Sequence, residues 1–217
     1  MEQNWERLQS LARGISQEFP DAVFIGGVAV AQHAKRSNPA LEESSHDADL
    51  YLSLAGKNEM RDRYEVVRNE RLGKDSVLVD GEDFDLYVER QHRLAIPYDE
   101  IAAHSQEIEG IRVAALEHLL VLKLDAAGDR RGSAKGEKDL RDLARLVSLL
   151  RAPRKALLAP HLDEKRLELL DDLGRRRDIF QRMGLNPHDG SRLRRTFDNH
   201  LAHIRRLGGH ELGGLSL

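Results

Sequence analysis

The chain reads as an α/β (α+β) protein, a small mixed sheet flanked by helices and followed by a helical C-terminal region. Three observations carry this. Residues 47–54 and 83–88 alternate polar and apolar side chains, the period of a half-buried strand. A short apolar run, 22–25, stops at Gly26-Gly27 before a helix-like segment. Beyond residue 115 the apolar positions recur only at helical spacing. The expected division is a core over 1–114 and a helical region over 115–217.

Taken in order, Trp5, Leu8, Leu11, Ala12 and Ile15 give an amphipathic helix over 3–16. A buried strand spans 22–25. Gly26-Gly27 makes a turn in which missing Cβ atoms let backbone N–H groups approach a ligand. A helix follows over 28–35, and a glycine pair at a helix start is a frequent phosphate cradle. Residues 37–44 form a loop, 47–54 a strand and 56–60 a connection. Strands are expected at 64–68 and 76–79, split by Leu72-Gly73-Lys74. Gly81 turns the chain into strand 83–88, and 111–113 is a short edge strand. Helix 116–127 leads through a basic, glycine-rich loop (128–136) to helix 138–150. Pro153 ends that helix. Helices over 162–183 and 191–207 complete the chain, the last stopped by Gly208-Gly209.

The chain has 217 residues, 40% of them hydrophobic and 33% charged, with a net charge of −3. That suffices for one substantial core or two small ones. Acidic residues are in excess up to residue 150 and basic residues after Arg151. An acidic part suits a metal and a basic part suits phosphate or an acidic partner. The absence of cysteine excludes disulfides and thiolate sites. The N-terminus lacks an apolar signal core, and no run approaches membrane-spanning length. A cytoplasmic protein without a membrane partner is expected.

The chemistry concentrates in three acids. Asp47 and Asp49 share one face of a strand, about 6–7 Å apart by the strand rise. Asp85 has the same place on its own strand. Adjacent carboxylates repel, and a divalent metal relieves them. If the two strands are neighbours, the three converge at the mouth of the Gly26-Gly27 turn. Such a trio holds two Mg²⁺ ions about 4 Å apart for in-line attack at phosphorus. Asp85 would also take the proton of an incoming hydroxyl. Gly26 and Gly27 would hold phosphates through their N–H groups. On helix 116–127, Lys123 borders the apolar stripe, so its stem is buried and its amine points into a cleft. Asp139 and Asp142 lie together at i, i+3, and Lys138 pairs with Asp142 at i, i+4.

The series Gly26-Gly27, His46-Asp47-Ala48-Asp49-Leu50 and Asp83-Phe84-Asp85-Leu86 resembles the DNA polymerase β-type nucleotidyltransferase superfamily. Within it, the AbiEii/AbiGii toxin-type enzymes are the nearest likeness. Lys123 and the run Lys138-Asp139-Leu140-Arg141-Asp142-Leu143 look like the Lys-bearing and Lys-Asp helices of that group. The resemblance covers about residues 20–150. It implies a nucleotidyltransferase sheet and Mg²⁺ (or Mn²⁺) on the catalytic residues Asp47, Asp49 and Asp85. It implies nucleotide binding by Gly26, Gly27, Ser45 and Lys123, with Lys138, Asp139 and Asp142 auxiliary. The implied reaction transfers NMP from an NTP to a hydroxyl. The acceptor would be RNA, typically tRNA, in a toxin–antitoxin setting with a cognate antitoxin as partner. The alternatives are an antibiotic-type small-molecule adenylyltransferase and a non-catalytic binding module on the same fold. The chain departs from the family in a longer loop before Asp47, where Ser44-Ser45-His46 replaces Arg-x-Ser/Thr.

Overall fold

The structure, a computed structural model, describes residues 2–69 and 73–208. Leu72 of the expected break at 72–74 and Gly209 of the expected final stop lie outside the described residues. The chain divides into two compact units, Met1–Ala115 and Leu116–Leu217. Among the described residues no helix is long and apolar enough to cross a membrane.

The first unit opens with α1 (Glu2–Glu18), whose apolar stripe buries Leu8, Ala12 and Ile15. β1 (Val23–Ile25) is buried on both faces, as a central strand must be. α2 (Gly26–Ser37) starts directly at its end. β2 (Ala48–Leu52), α3 (Leu54–Arg63), β3 (Val66–Asn69), β4 (Lys74–Val79) and β5 (Glu82–Val88) follow. α4 (Tyr98–His104), β6 (Gln106–Ile108) and β7 (Ile111–Val113) close the unit. The seven strands form one mixed sheet in the order β3-β4-β5-β2-β1-β7-β6. β2 lies antiparallel to β1 and parallel to β5.

Local chemistry fixes the register. Asp80 and Gly81, both at positive φ, make the tight turn between β4 and β5. Two successive residues at positive φ match the right-handed twist of a hairpin. Glu109 and Gly110 do the same between β6 and β7. At the centre Phe24 of β1 meets Phe84 of β5 edge to face, with ring centroids 6.3 Å apart. Both are fully buried.

Several expectations needed correction. Residues 56–60 are not a connection but part of α3. Its sequence is almost all polar and buries only Gly56 and Met60, so periodicity carried no signal. Ser53 caps this helix, accepting from Gly56 N at 2.9 Å. Residues 111–113 are not an edge strand, because β7 lies between β1 and β6. Tyr51, expected on the polar face of its strand, is buried edge to face against Tyr98 of α4 at 5.4 Å.

The second unit contains α5 (Leu116–Asp129), α6 (Ala134–Leu149), α7 (Lys155–Leu158), α8 (Glu164–Arg175), α9 (Asp178–Gln181) and α10 (Pro187–Leu207). The expected helix over 162–183 is thus two helices, parted at residues 176–177. The basic loop expected over 128–136 shrinks to a short turn. Ser133 caps α6 and accepts from Gly136 N at 3.0 Å. A Cβ on Gly136 would lie 2.2 Å from the Arg130 carbonyl oxygen, so only glycine fits there. α5 touches α6, α7 and α8 and is buried on most of its circumference.

Truncating Phe84→Ala removes the partner of Phe24 and leaves a cavity under the middle of the sheet. Urea denaturation is expected to show a loss of about 3–5 kcal/mol.

Candidate active site

The site begins with a register. Ile25 of β1 pairs with Asp49 of β2, and Asp49 pairs with Asp85 of β5. The two acids therefore stand next to each other on neighbouring strands, on one face of the sheet. Their apolar neighbours Ala48, Leu50, Phe84 and Leu86 are fully buried on the other face. Alternation across a pleated strand produces this split.

Gly26 closes the site at the end of β1. Its φ is +70°, which an L side chain rarely adopts. A Cβ there would lie 2.0 Å from Asp49 Oδ2. The Asp49 carboxylate thus rests directly on the Gly26 backbone. Gly27 stands in the first turn of α2, where the leading N–H groups have no intrahelical acceptor. The N-cap residue Ile25 offers no side-chain hydrogen bond, and no acid lies in the first turn. Such an end favours an anion.

Asp47 sits one residue before β2. Ser45, itself buried, donates to Asp47 Oδ1 at 3.2 Å. Ser45 therefore orients an acid, a role the sequence reading had not given it. His46 is exposed. Among the described residues, no three His, Asp or Glu side chains are gathered closely enough to share an ion. The donor chemistry itself, carboxylate oxygens on one face, suits Mg²⁺ or Mn²⁺.

One residue went unread in the sequence. Lys74 of β4 places its Nζ 2.9 Å from Asp85 Oδ2. The same ammonium stands over the Tyr87 ring, 4.8 Å from its centroid. Burial works against its charge, but hydrogen bonds to Tyr87 and Asp85 outweigh burial and hold the amine above the usual lysine range. Asp49 adds to the same pull. Two carboxylates on adjacent strands, about 5 Å apart, repel by about 3 kcal/mol at an effective dielectric of about 20. The Lys74 ammonium offsets that repulsion. Burial, then the Asp49 charge, push the Tyr87 phenol up.

Lys74 is itself held in place. His92 Nδ1 accepts from Val88 N at 2.9 Å, and its Nε2 lies 3.1 Å from the Gly73 carbonyl oxygen. The first bond fixes the tautomer, so Nε2 carries the proton and donates to Gly73. The His92 ring also meets Tyr87 edge to face at 5.6 Å. The only sequence sign of Lys74 was a glycine-lysine step opening a strand, which ordinarily marks nothing more than a turn.

In the second unit Lys123 is buried. Its Nζ lies 2.9 Å from Asp139 Oδ1 and 2.7 Å from Asp142 Oδ2. Arg130 and Arg145 each reach the far oxygen of one of these acids at 3.4 Å. Burial disfavours the Lys123 charge, yet the charges of Asp142 and Asp139 override it and raise the amine. α5 is covered on the side where the amine was expected to emerge, so the amine ends in an ion-pair cluster. Lys138 lies half-buried on α6 beside Asp139.

No protein-family model matches the chain, and no curated protein matches it. Solved structures do match. An antigenic nucleotidyltransferase-like protein from Paracoccidioides brasiliensis superposes with a TM-score of 0.54 at 16% identity, over 82% of this chain and 92% of its own. The fold is the nucleotidyltransferase fold. A Megavirus polyadenylate synthase aligns with a TM-score of 0.48 at 17% identity, over 68% of this chain and 32% of its own. JHP933 from Helicobacter pylori aligns at 0.47 and 13% identity, over 94% and 90%. On this fold the Gly26 turn follows the end of β1, beside Asp49 near the start of β2, and Asp49 is paired with Asp85 in the middle of β5.

Replacing Lys123 by Met leaves two buried carboxylates short of their cation. Urea denaturation is expected to show a loss of about 3–5 kcal/mol. A lysine raised in the folded state contributes fully below its unfolded value and loses that contribution only as pH rises through the folded one. The deficit should therefore be the same at pH 7 and pH 9, both below the unfolded value of about 10.4.

Proposed function

We propose that the protein is a metal-dependent nucleotidyltransferase that moves NMP from an NTP to a hydroxyl acceptor. The observation that carries this reading is the row Gly26, Asp49, Asp85, in which a carboxylate pair abuts the glycine start of α2. Phosphate and carboxylates are both negative, so a site offering both calls for a cation between them. A divalent ion bound there would neutralise triphosphate oxygens and make the attacking hydroxyl more acidic.

The chain's own residues supply the rest. Asp47 and Asp49 would hold the ion, with Ser45 orienting Asp47. N–H groups at Gly26 and Gly27 donate to phosphate oxygens of the NTP. Asp85 accepts the proton of the acceptor hydroxyl. That oxygen then bonds to the α-phosphorus, the bond from the α-phosphorus to its bridging oxygen breaks, and pyrophosphate leaves. Asp139 and Asp142 position Lys123 and, with it, the helix that Lys138 shares.

An RNA acceptor belongs to the same reading. The second unit carries a cleft of about 730 Å³ lined by Arg177, Arg194 and Arg195 together with Asp198, which pairs with Arg194. Another, of about 420 Å³, is lined by Arg131, Arg175 and Arg176 together with their ion-pair partners Asp172 and Glu137. Arginines in clefts suit a phosphate backbone. A tRNA end as acceptor, and a toxin role with an antitoxin partner, extend this reading.

Incubation of the full chain with each labelled NTP, Mg²⁺ and total tRNA tests it. Label is expected in tRNA, and Asp49→Ala or Asp85→Asn is expected to lower transfer at least about a hundredfold. Growth arrest on expression, absent for Asp49→Ala, is expected of a toxin. Folded protein that labels no acceptor with any NTP contradicts the proposal.

A further inference from the structure

We infer that Lys74 is a built-in cation that takes the place of a second metal ion at Asp85, so that the protein works with one divalent ion. This rests on the nucleotidyltransferase reading and deepens it. The two-ion arrangement needs an acid trio open to both ions. Here the Asp85 side of the site already holds a cation. Lys74 Nζ is 2.9 Å from Asp85 Oδ2, and the Lys74 side chain is only 21% exposed.

The placement is built rather than incidental. Ser76 pairs with Asp85 and Asp75 with Leu86, so β4 continues with Lys74 opposite Tyr87 on the face that carries the acids. The Tyr87 ring lies beneath the ammonium and supports it by a cation–π contact. His92 bonds the Gly73 carbonyl that precedes Lys74 and packs against the same Tyr87 ring. Three separate contacts therefore aim one amine at one carboxylate. A divalent ion at Asp85 would stand within a few ångströms of that ammonium and be repelled by it.

The ammonium does part of what a second ion does. It neutralises Asp85 and fixes its orientation through Oδ2. That leaves Oδ1 as the atom that receives the acceptor's proton. Lys74 is thus a positioning residue acting through Asp85, and the remaining divalent ion belongs to Asp47, Asp49 and the triphosphate.

The test counts ions. Mn²⁺ is titrated into the full chain with non-hydrolysable analogues of the four NTPs in turn, read by electron paramagnetic resonance, with analogue binding read separately by calorimetry. The wild-type chain is expected to bind one Mn²⁺ per bound nucleotide. Lys74→Met, which keeps an unbranched apolar stem and removes the charged end, is expected to bind two, with Mn²⁺–Mn²⁺ coupling in the spectrum. Lys74→Arg keeps the charge and is expected to stay at one. Two coupled ions in the wild type overturn the inference and leave the nucleotidyltransferase reading standing. A count that stays at one in folded Lys74→Met also overturns it. If no analogue binds any of the three proteins, the functional reading falls and the inference falls with it.

Discussion

The contact between the Asp49 carboxylate and the Gly26 backbone holds the site together. It needs three things at once. β1 and β2 must pair with Ile25 opposite Asp49. Gly26 must turn at positive φ, and it must lack a Cβ, because that atom would overlap Asp49 Oδ2. The register follows in turn from the buried faces of the strands. A slip of one residue would send Asp49 into the space of Leu50 and bury its charge. The Phe24–Phe84 contact and the Asp80-Gly81 turn keep β5 and β4 in step. Asp85 and Lys74 therefore arrive where Asp49 already is.

The two units answer the same electrostatic problem in different ways. Each holds a pair of carboxylates with a lysine between or beside them. In the second unit Lys123, Asp139 and Asp142 are sealed, with arginines completing the shell. Such a cluster fixes how α5 and α6 pack, because breaking it strands buried charge. In the first unit Asp49 and Asp85 remain half-exposed, and Lys74 forms an ion pair with Asp85. A half-open pair of acids with one cation in place has room for another cation, whereas the sealed cluster has none.

Much of this was legible in the sequence, for physical reasons that differ by element. The strands bearing Asp49 and Asp85 alternate strictly because one face is core and the other is site, so both were read. β1 declared itself by an apolar run ending in two glycines. α3 was invisible because a nearly all-polar helix has no stripe, and its Ser53 cap was hidden inside an expected strand. Tyr51 followed the alternation of its strand yet is buried, because Tyr98 of α4, a helix the pattern did not predict, covers it. The role of Lys74 depends on β4 lying beside β5 with Asp75 opposite Leu86, and pairing partners are not written in either strand alone. Lys123 was singled out correctly as bordering an apolar stripe, but the coverage of α5 by α6, α7 and α8 decides where its amine ends.

The most direct measurement is a crystal structure of the chain with Mn²⁺ and a non-hydrolysable NTP, with data collected at the manganese edge. The account predicts anomalous density beside Asp49 with the triphosphate lying along the Gly26-Gly27 start of α2. Nucleotide and manganese bound elsewhere on the chain, with the Asp49–Gly26 contact left bare, would contradict it.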